Sequence, residues 1–127
     1  FFVYGPRQNK TMLIPRLINN VQNNLPITLF GKEGIVINPI FVGDACDALI
    51  SVQGTNGICK LNIGGNEELS LKSIVEIIGK VIEVSPIFKY VDAESNNLIG
   101  NIDKLKENYY SPEISFLEGI KKMVDEG

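Results

Sequence analysis

Hydrophobic and polar positions follow two rhythms along this chain, and the switches between them mark its elements. Over residues 13–23 the apolar positions Ile14, Leu17, Ile18 and Val21 fall at i, i+3, i+4 and i+7, the one-face spacing of an amphipathic helix. Pro15 fits that helix only within its first turn. The strongest helical pattern covers 71–82, with Leu71, Ile74, Val75, Ile78, Val81 and Ile82 on its apolar face and Ser70 as its N-cap. A further helix is expected from Asp44, read as an N-cap, through Val52, with Ala45, Ala48, Leu49 and Val52 on one side. Asp103 opens a short helix reaching Tyr109. Ser115-Phe116-Leu117-Glu118 has capping-box spacing and starts a terminal helix that buries Phe116, Ile120 and Val124.

Between these lie runs of the other rhythm. Residues 1–4, 26–30, 35–37, 40–42, 58–63 and 86–90 read as extended, bounded by glycine-rich turns at 31–34, 54–57 and 64–65. Residues 5–10 and the Asn-rich stretch 91–101 read as loops. The resulting order, β-α-β-β-α-β-α-β-α-α, predicts an α/β unit with a small sheet. At 127 residues, without repeat or linker, it reads as a single domain over 1–127.

Composition narrows the function. The chain is 44% hydrophobic and 21% charged with a net charge of -3, a globular profile lacking the basic footprint of a nucleic-acid binder. No apolar run approaches the roughly 18 residues that span a bilayer, and the expected location is cytoplasmic. Histidine is absent, which removes the commonest general base and any Ser-His-Asp or Cys-His centre. The two cysteines, Cys46 and Cys59, lack metal-ligand spacing and read as buried or half-buried reduced thiols, so no metal is expected.

Candidate chemistry is sparse. Gly64-Gly65 follows a predicted strand and precedes a capped helix, where a backbone amide could approach a phosphate, but a structural turn is the commoner use. Asp44 and Asp47, like Glu67-Glu68, read as acidic residues favouring a helix N-terminus. Phe30 beside Gly31 could offer a flat face for stacking a base, although a core aromatic is the usual case. No three-glycine dinucleotide loop exists, and no tyrosine has a lysine four residues on. The residues alone contain no catalytic constellation.

The ordered series of segments says more. It runs Phe1-Phe2-Val3-Tyr4-Gly5-Pro6-Arg7-Gln8, Met12-Leu13-Ile14-Pro15-Arg16-Leu17-Ile18, Pro26-Ile27-Thr28-Leu29-Phe30-Gly31 and Ile37-Asn38-Pro39-Ile40-Phe41-Val42-Gly43-Asp44-Ala45. Asn62-Ile63-Gly64-Gly65-Asn66-Glu67-Glu68-Leu69-Ser70 follows, and Pro112-Glu113-Ile114-Ser115-Phe116-Leu117-Glu118-Gly119-Ile120 comes last. This series resembles the C-terminal half of the extended short-chain dehydrogenase/reductase family, the NAD-dependent nucleotide-sugar epimerases and dehydratases. The resemblance implies a substrate-binding domain preceded by the last strand of a Rossmann sheet, with residues 1–8 its remnant. The glycine loop and the Tyr-x-x-x-Lys pair would then lie in a missing Rossmann domain. It implies NAD or NADP in the parent, none bound by this chain alone, and a nucleotide-sugar substrate. The uncovered strand edge would invite self-association.

By the same resemblance Phe1 lies beside the nicotinamide, Phe30 and Thr28 near the nucleobase, and Leu13 at the border of the nucleotide pocket. Three departures stand out. Many members carry asparagine where Phe2 stands, an arginine for the diphosphate at Ile37, and a second arginine near Asn96-Asn97-Leu98. Without those guanidinium forks, phosphate contact would fall to Arg7, Arg16 or Lys32, or the substrate is not a nucleotide diphosphate sugar; the alternative is a non-catalytic ligand-binding or regulatory member of the same fold family.

Overall fold

The computed structural model describes residues 2–54 and 60–126. Strand β1 (Val3–Tyr4) leads through a loop into helix α1 (Leu13–Gln22), then β2 (Ile27–Phe30), β3 (Val36–Ile37), β4 (Ile40–Phe41) and α2 (Val42–Ser51). Strand β5 (Leu69–Ser70) runs directly into α3 (Leu71–Ile82), followed by β6 (Phe88–Val91), α4 (Asp103–Asn108) and α5 (Phe116–Glu126). The strands pair two by two. β1 lies parallel to β4, β2 parallel to β6, and β3 antiparallel to β5.

The apolar stripes read from the sequence meet in one core. Ile14, Leu17 and Val21 of α1, Ile74, Val75 and Ile78 of α3, and Phe116, Ile120 and Met123 of α5 close over Leu29, Ile37 and Tyr4. The Tyr4 ring packs edge-on to Phe41 at 5.7 Å and tilted against Phe116 at 5.1 Å, favourable aromatic geometries. Gly119 makes this approach possible, since a side chain there would collide with the Tyr4 hydroxyl. Burial pushes the Tyr4 phenol well above its ordinary pKa, with Glu67, Asp44 and Glu118 adding to the shift. A second, smaller cluster of Ala48, Ile102 and Leu105 fastens α4 beneath α2.

Ser70 caps α3 as predicted, its hydroxyl accepting from the Ser73 amide at 3.1 Å. The capping pair of α5 also forms: the Glu118 amide donates to the Ser115 hydroxyl at 3.2 Å, and that hydroxyl donates to the Glu118 carboxylate at 3.1 Å. Pro15 lies in the first turn of α1.

Five expectations are corrected. Helix α2 begins at Val42 with Phe41 in the N-cap position, so Asp44 lies inside the first turn, where its carboxylate serves other segments. Leu49 is exposed because α2 buries only the narrow side bearing Asp44, Ala45 and Ala48. On α5 the core takes Met123, and Val124 faces outward. Residues 60–63 are not a strand; the strand before α3 is β5, which pairs with β3. Residues 58 and 59, including Cys59, lie outside the described residues, and Cys46 is a free, exposed thiol.

Candidate functional site

The loop between β1 and α1 is shaped by its own polar groups. The Gln8 amide donates to the Gly5 carbonyl at 3.4 Å, and the Asn9 carboxamide oxygen accepts from the Thr11 amide and hydroxyl, both at 2.9 Å. Arg7 sits in the left-handed region at φ 63°, which asparagine or glycine enters more easily than arginine. Two of the clefts around this loop are lined in part by α1. One, of about 460 Å³, is lined by Phe2, Val3, Gln8, Thr11, Met12, Leu13 and Ile14. The other, about 200 Å³, opens between the loop, α1 and α5 and contains Arg7, Gln8 and Lys10. Gln8 borders both.

Thr28 and Phe30 come together as the alternation of β2 requires. Ile27 and Leu29 point into the core while Thr28 and Phe30 point out. Their register partners on β6, Lys89 and Val91, share the outer face. Phe30 is 50% exposed, so the core reading of this ring is overturned and a flat aromatic face lies open to solvent. Gly31 (φ +83°) turns the chain away behind it, its amide bonded to the Val91 carbonyl at 2.9 Å. On the ribbon's other register positions, Lys72 reaches over the Phe88 and Tyr90 rings at 5.9 and 5.6 Å. Its hydrogen bond to Tyr90 raises the pKa of the Lys72 ammonium.

Leu13 thus lines a cleft, Thr28 and Phe30 share one exposed face, and Arg7 borders the second cleft. Arg16 is exposed on α1, Lys32 is exposed in the turn after β2, and Phe1 lies outside the described residues.

Both positions where arginines were expected serve the fold instead. Ile37 is fully buried, paired with Leu69 and bridged to Leu98. The Asn97 side chain accepts from the Val36 amide at 3.2 Å, and the Leu98 amide donates to the Val36 carbonyl at 2.9 Å. Gly64 and Gly65 do not cradle a phosphate either. A side chain at Gly65 would strike the Pro39 carbonyl, and one at Gly64 would press on the Asn38 carboxamide. The space at the Gly64-Gly65 turn is taken by the protein's own atoms.

Two polar side chains, Asn38 and Asp44, are buried anchors, a role their sequence positions did not indicate. Asn38 donates to the Gly65 carbonyl at 3.2 Å and to the Gly100 carbonyl at 2.8 Å, and accepts from the Gly100 amide at 2.9 Å. Asp44, 3% exposed, accepts from the Tyr110 hydroxyl at 2.6 Å and from the Glu113 and Ile114 amides at 3.1 and 2.8 Å. Burial raises the Tyr110 phenol's pKa, and the Asp44 hydrogen bond and the charges of Asp44, Asp47 and Glu113 raise it further. Glu67 accepts from the Phe116 amide at 2.6 Å, so its acidic charge sits at the start of α5 and not of α3. The Asn38-Pro39 step was the one available hint of a constrained turn.

No family model matches the chain. Among curated proteins it is 29% identical over 126 residues to the uncharacterized UDP-glucose epimerase YtcB of Bacillus subtilis, covering 94% of this chain and 40% of that protein. It is 27% identical over 135 residues to the dTDP-D-glucose 4,6-dehydratase of Mus musculus, covering 97% of this chain and 38% of the relative. Among solved structures, the UDP-glucuronic acid 4-epimerase of Bacillus cereus in complex with UDP-glucuronic acid and NAD superposes with a TM-score of 0.82 at 26% identity. That match covers 98% of this chain and 42% of the other. The chain spans about 40% of the length of the relatives it matches, their C-terminal portion. Over nearly its whole length the chain is similar to the C-terminal portion of nucleotide-sugar epimerases and dehydratases.

Proposed function

We propose that this chain is the substrate-binding part of an NAD- or NADP-dependent enzyme that remodels the sugar of a nucleotide sugar. The observation that carries the reading is the likeness over 98% of the chain to an epimerase bound to UDP-glucuronic acid and NAD. In this reading the dinucleotide is held by a Rossmann domain outside these 127 residues, with Phe1 beside the nicotinamide. The exposed Phe30 ring stacks the base, Thr28 supplies a hydroxyl beside it, and Leu13 borders the ligand from its cleft. Arg7 or Arg16 takes the phosphate contact that buried Ile37 cannot make.

UDP-glucose and dTDP-glucose titrated into the 127-residue protein should shift the amide resonances of Leu13, Thr28 and Phe30. Phe30→Ala should weaken binding roughly tenfold, a typical loss for one base-stacking ring. Unperturbed spectra at millimolar ligand would overturn the reading. The chain alone should not turn over a nucleotide sugar with NAD, and steady turnover would refute that division of labour.

The loss of both arginine positions favours one alternative, a non-catalytic member that binds the ligand for regulation. A longer gene product that binds a nucleotide sugar and NAD without turnover would select it. The outer edge of β1 motivates a further proposal, self-association of the isolated chain, which a concentration-independent monomer mass in light scattering would exclude.

A further inference from the structure

We draw no further inference here: the strongest candidate, the exposed apolar side of α2 formed by Val42, Cys46, Leu49 and Ile50, is an unpartnered helix face, and nothing in the structure shows what covers it.

Discussion

Two polar regions of this molecule are built on opposite terms. Around Asp44 and Asn38 every buried polar atom of the side chain is engaged. One carboxylate gathers a phenol and two backbone amides from the segment before α5, and one carboxamide clamps Gly65 and Gly100. In the loop before α1, Gln8 has one end satisfied and one end empty, and Arg7 and Lys10 have no described partner. A saturated polar group holds its neighbours in place, because losing it strands donors that cannot reach water. An unsaturated buried acceptor such as the Gln8 oxygen carries a cost, whereas exposed Arg7 and Lys10 are satisfied by water. The contrast assigns scaffold duty to the first region and leaves the second without that role.

The largest test of that contrast is Asp44→Ala. Removing the carboxylate strands the Tyr110 hydroxyl and two amides, and should destabilise the protein by about 3 kcal/mol in urea unfolding. A loss under about 1 kcal/mol would mean that this buried carboxylate is not a structural anchor. Next in size is Tyr110→Phe, expected to cost about 1–2 kcal/mol at neutral pH and to change the alkaline limb of stability. The raised phenol pKa means that the folded state keeps its proton where the unfolded chain releases it. The resulting stabilisation is present in full below the ordinary tyrosine value of 10.0 and is lost as pH climbs through the higher folded value. Tyr4 contributes with the same sign, so Tyr110→Phe should flatten the decline above pH 10 without abolishing it. The smallest effect is expected of Gln8→Leu. Deleting a half-satisfied carboxamide should shift stability by no more than about 0.5 kcal/mol. A loss as large as that of Asp44→Ala would erase the distinction between the two regions.

Much of the fold was legible because periodicity and capping are local. The stripes Ile14-Leu17-Val21 and Ile74-Val75-Ile78 needed only their spacing to identify a buried face. Ser70 needed only its position before an apolar run. The errors fell where a neighbour far along the chain outbid a local preference. Asp44 carries the sequence mark of an N-cap, yet the helix starts two residues before it, at Val42, and the carboxylate accepts from Tyr110, Glu113 and Ile114. Leu49 has core chemistry and lies exposed because nothing described packs on that side of α2. The candidate site was legible only in part. Phe30 and Thr28 were identified through resemblance, but their shared outer face follows from pairing with β6. Gln8 gave no signal, since a buried acceptor left empty exists only once the fold surrounds it.

By itself the sequence determined the buried faces of α1 and α3, the α/β class, and the absence of histidine and of a glycine-rich dinucleotide loop. These depend on residue type and on spacings within one element. Tertiary structure alone decided that Gly64-Gly65 is filled by Asn38 and Pro39, that Ile37 is core and that Asp44 is an anchor. It also decided that Arg7 and Lys10 share a cleft. The physical reason is that burial, saturation and charge pairing belong to contacts between segments up to about 70 residues apart, and no window of sequence contains both partners.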